Sequence, residues 1–369
     1  MPRCNALTNH LCLDTDVRYR PCCVFQKTQE AIVAGELPWN EYRSSDFFKD
    51  VEQQMETGWH PNCEGCRLDE ELGRTSTRMQ MNADLSGIPD SIEDLDICLS
   101  NECNLSCKMC SPAASTRWEK IVEKNTELSK YWYYQPNTYA NRNVKDIVSA
   151  VDFTNVKNIK LIGGEPFIGN HLASMIELIK QQTIIDQIRL TVSTNCTVFP
   201  KDIIHDFVKF KFVLVCLSVD GIGDLCDYIR TGRPWNKVSP VIDNWINLAK
   251  QHSNISLCVC FTLQALNIHQ YKTVKEWTEH HNIGFHCELL KTPAELSIYS
   301  LPDTYIKSLK DTEVIDDYLS NLLSADQRHD PLNLLDLILS QDKAMGTDIA
   351  LAVPDLYQSL KNQIEKEKT

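Results

Sequence analysis

From about residue 90 onward, short runs rich in Val, Ile, Leu and Thr alternate with stretches of helical period. The runs fall at 92–100, 158–163, 187–194, 212–219, 255–263 and 283–290. The connections between them are long enough for helices, so the pattern predicts parallel βαβ units with right-handed crossovers, an α/β architecture. Periodicity alone does not separate an open doubly wound sheet from a partial barrel. Residues 291–369 read as helical, with Pro293, Pro302, Pro331 and Pro354 as breakers or helix starts and Leu334 to Leu339 as an apolar core stretch. The charged end, 361–369, reads as a solvated helix terminus. No internal repeat, heptad array or low-complexity segment divides the chain further. Three regions result, 1–90, 91–290 and 291–369.

Composition narrows the class of protein. At 369 residues and 43% hydrophobic content the chain can build an ordinary core. A formal net charge of −13 argues against binding bulk nucleic acid, because such affinity comes from neutralising many phosphates. No export signal and no membrane-length apolar run is present, so the expectation is a cytoplasmic protein without a membrane partner. Sixteen cysteines then point to metal binding rather than disulfides, because several are clustered at CxxC spacing.

The densest cluster is Asn101-Glu-Cys103-Asn-Leu-Ser-Cys107-Lys-Met-Cys110, which closes the first apolar run. Three thiolates at this spacing can ligate three irons of a [4Fe-4S] cube and leave the fourth open, although three cysteines and a remote histidine also suit structural zinc. Further on, Gly163-Gly164-Glu165-Pro166, Ser193-Thr-Asn195 and Ser218-Val-Asp220-Gly221 each close a later run. Together these motifs resemble the radical S-adenosylmethionine (radical SAM) superfamily. The resemblance implies a partial (βα)6, TIM-like barrel open on one side, with its chemistry at the carboxyl ends of the strands.

It also implies roles. Cys103, Cys107 and Cys110 would hold a [4Fe-4S] cluster whose open iron takes S-adenosylmethionine, and reductive cleavage would yield a 5′-deoxyadenosyl radical that removes hydrogen from a substrate. Met109 stands where relatives commonly carry an aromatic near the adenine. Gly163 and Gly164 would let the backbone approach the ligand, Glu165 would face the methionine ammonium, and Pro166 would stiffen the turn. Ser193, Asn195, Ser218 and Asp220 suit ribose hydroxyls or the methionine carboxylate, and also suit ordinary turn capping. Arg230 suits a carboxylate, and equally an exposed surface.

The N-terminal region adds Cys4, Cys22, Cys63 and Cys66. It resembles the auxiliary-cluster module called twitch, related to SPASM, here placed ahead of the barrel, with Val17 where a glycine is usual. The implied ligands of a second [4Fe-4S] cluster are these four, with Cys12 or Cys23 as substitutes and a zinc site as the competing reading. Cys98, Cys216, Cys258 and Cys260 read as small core residues. The loop 131–139, Tyr-Trp-Tyr-Tyr at its start, suits either a substrate opening or packing on the fold. The resemblance implies a radical SAM enzyme acting on an unidentified substrate, with a peptide or protein as the leading class and flavodoxin or ferredoxin as the type of electron donor. The competing reading is a non-catalytic iron-sulfur, zinc-binding or electron-transfer protein with the same fold.

Overall fold

The computed structural model describes residues 2–14, 18–25, 37–71, 73–132, 144–312, 314–324 and 328–367. Val17, the loop residues 133–139 and the final two residues therefore lie outside the described residues.

All six expected strands form: β3 (Asp94–Cys98), β4 (Asn158–Ile162), β5 (Arg189–Thr194), β6 (Phe212–Ser218), β7 (Ile255–Leu263) and β8 (Gly284–Leu289). They belong to one eight-stranded sheet in the order β2-β1-β3-β4-β5-β6-β7-β8. The two additional strands, β1 (His10–Leu13) and β2 (Tyr19–Arg20), come from the N-terminal region. There β1 runs parallel to β3, with Leu11 opposite Leu95 and Leu13 opposite Ile97, and β2 pairs antiparallel to β1. Pairing is also parallel for β3·β4, β4·β5 and β7·β8. From β3 to β8 the spatial order follows the sequence without reversal. A doubly wound sheet needs a switch point where the order turns back. With right-handed crossovers, a monotonic order puts the connecting helices on one face, as in a barrel wall. Such an order is consistent with a partial barrel.

Burial alternates along the strands, for example at Val213, Val215 and Leu217 in β6, while Phe212, Leu214, Cys216 and Ser218 stay half-buried. The alternation is the period of two that β-structure imposes, with one face packed and one facing a more open space.

The chain divides into two compact units. The first takes Met1–Glu102, Asn137–Ser193 and Pro200–Leu214, and the second takes Cys103–Pro136, Thr194–Phe199 and Val215–Thr369. In the first, Leu95, Ile97, Ile159, Leu161, Leu190 and Val192 are buried, as are Leu172, Met175, Ile176 and Ile179 of the His171–Gln182 helix. In the second, Val259, Phe261 and Leu263 are buried with Ile242 and Trp245 of the Trp235–Gln251 helix. The second unit also holds the C-terminal helices. Pro302 precedes the Asp303–Asp311 helix, and Pro331 and Pro354 begin the Pro331–Met345 and Pro354–Glu367 helices. Proline fits these positions because the first helical N–H groups lack partners anyway. Leu334, Leu335, Leu337 and Ile338 are buried, which accounts for the apolar stretch.

Candidate functional site

In the first unit, β4 ends on the Gly163-Gly164-Glu165-Pro166 turn, which lies against the segment following β3. The Gly164 N–H donates to the Ser100 carbonyl and the Glu165 N–H to the Glu102 carbonyl, both at 2.8 Å. Glycine is required twice. A Cβ on Gly163, whose φ is +158°, would stand 2.7 Å from the Ser100 oxygen, and one on Gly164 would stand 2.4 Å from the Glu102 oxygen. These neighbours are backbone and cannot swing aside. The Glu165 side chain is buried at 1% exposure, and its Oε1 accepts from the Phe167 N–H at 3.2 Å. Ser193 is half-buried near the end of β5. Asn101 is buried and its Nδ2 has no hydrogen-bond partner.

The cysteine loop opens the second unit. Cys107 is buried, and Cys103, Met109 and Cys110 are half-buried. The loop is held through its backbone: the Ser106 N–H donates to the Thr231 carbonyl, the Lys108 N–H to Ile229, and the Cys110 N–H to Cys107, each at 2.9 Å. The buried Trp118 indole, on the Thr116–Lys124 helix, donates to the Cys107 carbonyl at 2.8 Å. Gly232, at φ +133°, leaves room for the loop, since a Cβ there would meet the Asn104 oxygen at 2.9 Å.

Two donors point at the Cys103 sulfur. The Leu105 N–H lies 3.4 Å and the Asn195 Nδ2 3.8 Å from the Cys103 Sγ. Asn195 Nδ2 also donates to Asn104 Oδ1 at 2.9 Å, and Asn195 Oδ1 accepts from the Thr197 hydroxyl at 2.6 Å. Burial pushes the Cys107 thiol up to about 11 and the Cys110 thiol to about 12, with the other loop sulfurs adding to the rise and Arg230 pulling both down. The donors and the guanidinium favour negatively charged sulfur, whereas burial keeps an unligated thiol protonated.

Arg230 and Asp220 form a buried ion pair. Asp220 Oδ1 also accepts from the Thr262 N–H at 2.7 Å, and the Asp220 carbonyl accepts from Asn267 Nδ2 at 3.0 Å. Arg230 is therefore no exposed surface residue, and its buried Nε has no protein partner. Gln264, just past β7, is fully buried with neither amide atom hydrogen-bonded. The sequence reading missed Gln264, Asn104 and Thr197. Gln264 follows β7 as Asn195 follows β5, and that strand-end register was the available signal. Ser218, the last residue of β6, is half-buried.

The second cysteine set lies in the first unit, where Cys4, Cys22, Cys63 and Cys66 line one pocket with Phe25 and Arg78. The Cys63 and Cys66 pair begins the Glu64–Glu71 helical region, preceded by the turn Pro61–Cys63. Burial raises the Cys4 thiol and lifts Cys63 to about 12, and the neighbouring sulfurs raise both further. Cys12 instead sits buried within β1, and Cys23 lines a different cavity beside Asp94, Asp96 and Lys160. Among the described residues no three His, Cys, Asp or Glu side chains converge closely enough for a single metal ion. A cube of four irons asks for wider spacing, because each thiolate binds a different iron. Both cysteine sets supply thiol donors of the type such a cube takes.

Of the cysteines read as core, Cys98 is buried, whereas Cys216, Cys258 and Cys260 are half-buried on the open face of β6 and β7. Cys260 hydrogen-bonds with both of the others. Tyr131 donates to Asp336 at 2.6 Å and Trp132 packs on Trp118 with ring centroids 4.8 Å apart, so this end of the aromatic loop is tied down. No described helix is long and apolar enough to cross a membrane.

No curated protein matches the chain. Among solved structures it is similar to native anSMEcpe with bound AdoMet and Cp18Cys peptide, at 17% identity over 58% of this chain and 56% of that one, with a TM-score of 0.39. It is also similar to Streptococcus suis SuiB bound to S-adenosylmethionine, at 15% identity over 78% of this chain and 58% of that one, with a TM-score of 0.35. The chain thus spans less than two thirds of the length of either. The family model of the Radical SAM superfamily matches residues 97–262. That stretch contains the cysteine loop, the Gly-Gly-Glu-Pro turn and the strand ends at Ser193, Asn195, Ser218 and Asp220, and it is similar to the radical SAM domain.

Proposed function

We propose that this chain is a radical SAM enzyme: Cys103, Cys107 and Cys110 hold a [4Fe-4S] cluster, and S-adenosylmethionine binds at its open iron. The observation that carries the reading is the cysteine loop, with N–H donors at a ligand sulfur and buried, unpaired polar atoms on Arg230 and Gln264 in the same unit. Unpaired buried donors cost about 1–3 kcal/mol each, a cost that a bound ligand removes. When bound, the cluster and its ligand supply one-electron cleavage and a hydrogen-abstracting radical.

The protein's own residues bind, orient and exclude water. Gly163 and Gly164 bring backbone close to the ligand, and the buried Glu165 carboxylate suits the methionine ammonium. Ser193, Asn195 and Ser218 offer hydrogen bonds to ribose or carboxylate, and Met109 supplies a polarizable surface for the adenine. Asp220 holds Arg230, whose free Nε is available to the carboxylate. In the first unit, Cys4, Cys22, Cys63 and Cys66 hold a second [4Fe-4S] cluster, fully coordinated and suited to electron relay or to structure. We assign a peptide or protein as the leading substrate class and a flavodoxin- or ferredoxin-type protein as electron donor. Both structural relatives belong here as well: anSMEcpe was solved with peptides and SuiB with the precursor peptide SuiA.

Anaerobic reconstitution tests the proposal, with iron and sulfide counted and dithionite-driven 5′-deoxyadenosine formation followed in parallel. About eight irons per chain with deoxyadenosine produced are expected. Zinc in place of iron, or iron with no deoxyadenosine, would instead support the metal-binding, non-catalytic reading.

A further inference from the structure

Lys108 stands between two of the loop cysteines, and the sequence reading gave it no role. Its side chain is 0% exposed, an expensive place for an ammonium unless paired. Every partner is at hand within the second unit. Nζ lies 2.7 Å from Asp342 Oδ1 and donates to the Thr347 hydroxyl at 3.0 Å, and it sits 4.3 Å from the centre of the Tyr228 ring. Asp342 is itself saturated, accepting from the Tyr228 hydroxyl at 3.0 Å, the Thr347 hydroxyl at 2.6 Å and the Ile349 N–H at 2.7 Å. Next to it on the Pro331–Met345 helix, the Gln341 amide donates to the Lys108 carbonyl at 2.9 Å. Main chain and side chain of one loop residue are therefore both gripped by one helix.

We propose that Lys108 is a positioning residue for the cluster loop, clasped by Asp342, and that the Pro331–Met345 helix is an integral part of the cofactor site although the matched domain ends at residue 262. An apolar side chain at 108 would fill the same hole, but it would not fix direction. The saturated ion pair does, because only one placement satisfies all of its donors. Held this way, residue 108 points into the protein while its neighbours remain the metal ligands. The inference rests on the proposed role of the cysteine triad, yet the clasp can be tested without any cluster.

The test is hydrogen exchange on the cluster-free, full-length chain, read at the Ser106, Lys108 and Cys110 amides, which are hydrogen-bonded within this loop and to its neighbours. Lys108→Met and Asp342→Asn are compared with the wild type. The double variant K108M/D342L, which leaves no orphaned buried charge, provides a folded reference if a single variant fails to fold. The expected result is exchange at least tenfold faster at the three loop amides, with amides of the sheet core unchanged. After anaerobic reconstitution and reduction with dithionite, the electron paramagnetic resonance signal of the reduced triad cluster should broaden and lose intensity while that of the second cluster persists. Loop exchange within twofold of wild type in folded variants, or acceleration spread evenly over the whole chain, overturns the proposal. A wild type that takes up no iron at the triad would overturn the enzyme reading, while the exchange data still decide the clasp.

Discussion

The cluster loop and the N-terminal cysteine set gather sulfur by opposite routes. Cys103, Cys107 and Cys110 are neighbours in sequence, and a short loop pinned by its own amides arranges them. Cys4, Cys22, Cys63 and Cys66 are far apart in sequence and meet only because β1 joins the sheet and the Glu64–Glu71 helix folds over a shared pocket. The first set is thus organised by local backbone, the second by tertiary structure. Removing a thiol should be felt locally in the one case and across a whole region in the other.

The largest effect is expected from deleting each set. Replacing Cys103, Cys107 and Cys110 by alanine should lower iron from about eight to about four per chain and abolish deoxyadenosine formation. Replacing Cys4, Cys22, Cys63 and Cys66 should remove a similar amount of iron while the triad still cleaves S-adenosylmethionine. Loss of cleavage in that variant would show that the two sets are not separable.

Next come the ion pairs beside each set. Asp220→Ala strands the buried Arg230 and should cost about 3–5 kcal/mol in urea unfolding. Arg78, which lines the N-terminal pocket, pairs with Glu70 at 2.6 Å with both side chains partly solvated, so Arg78→Met should cost only about 1 kcal/mol. Equal costs would contradict the contrast in burial. Gly164→Ala, which drives a Cβ into the Glu102 backbone, should cost about 1–3 kcal/mol and weaken S-adenosylmethionine binding, read by calorimetry.

A further effect is on pH. Burial raises Cys107 to about 11, and Cys110 and Cys63 to about 12, from an ordinary 9.0. The folded apo-protein then binds more protons than the unfolded chain above pH 9, so stability should be fully present below about pH 9 and fall as pH rises toward 11–12. Unfolding midpoints measured from pH 8 to 11 check the sign. Each alanine set should flatten the slope.

Legibility in sequence followed the same division. The six strands β3 to β8 could be read because their branched apolar residues alternate or run together between turn residues, and the triad because its spacing is short. The glycine pair announced close backbone approach, which the Ser100 and Glu102 carbonyls now explain. Strand β1 escaped notice: four residues with a cysteine and a histidine among them look like ligand-bearing loop until Leu95 and Ile97 stand beside them. Arg230 was ambiguous because its partner, Asp220, sits ten residues away in a turn whose shape the sequence does not announce. Gln264 and Lys108 were invisible for another reason, since polar residues in loops are exposed by default and only packing reveals the exception.

The clasp also has a history in time. Lys108 and Asp342 are 234 residues apart. At about 5–20 residues per second, a ribosome finishes the triad roughly 10–50 s before it makes the residue that steadies it. During that interval the nascent loop has its sulfurs but not its anchor. The Pro331–Met345 helix, made long after the triad, would therefore be the element that readies the loop for iron.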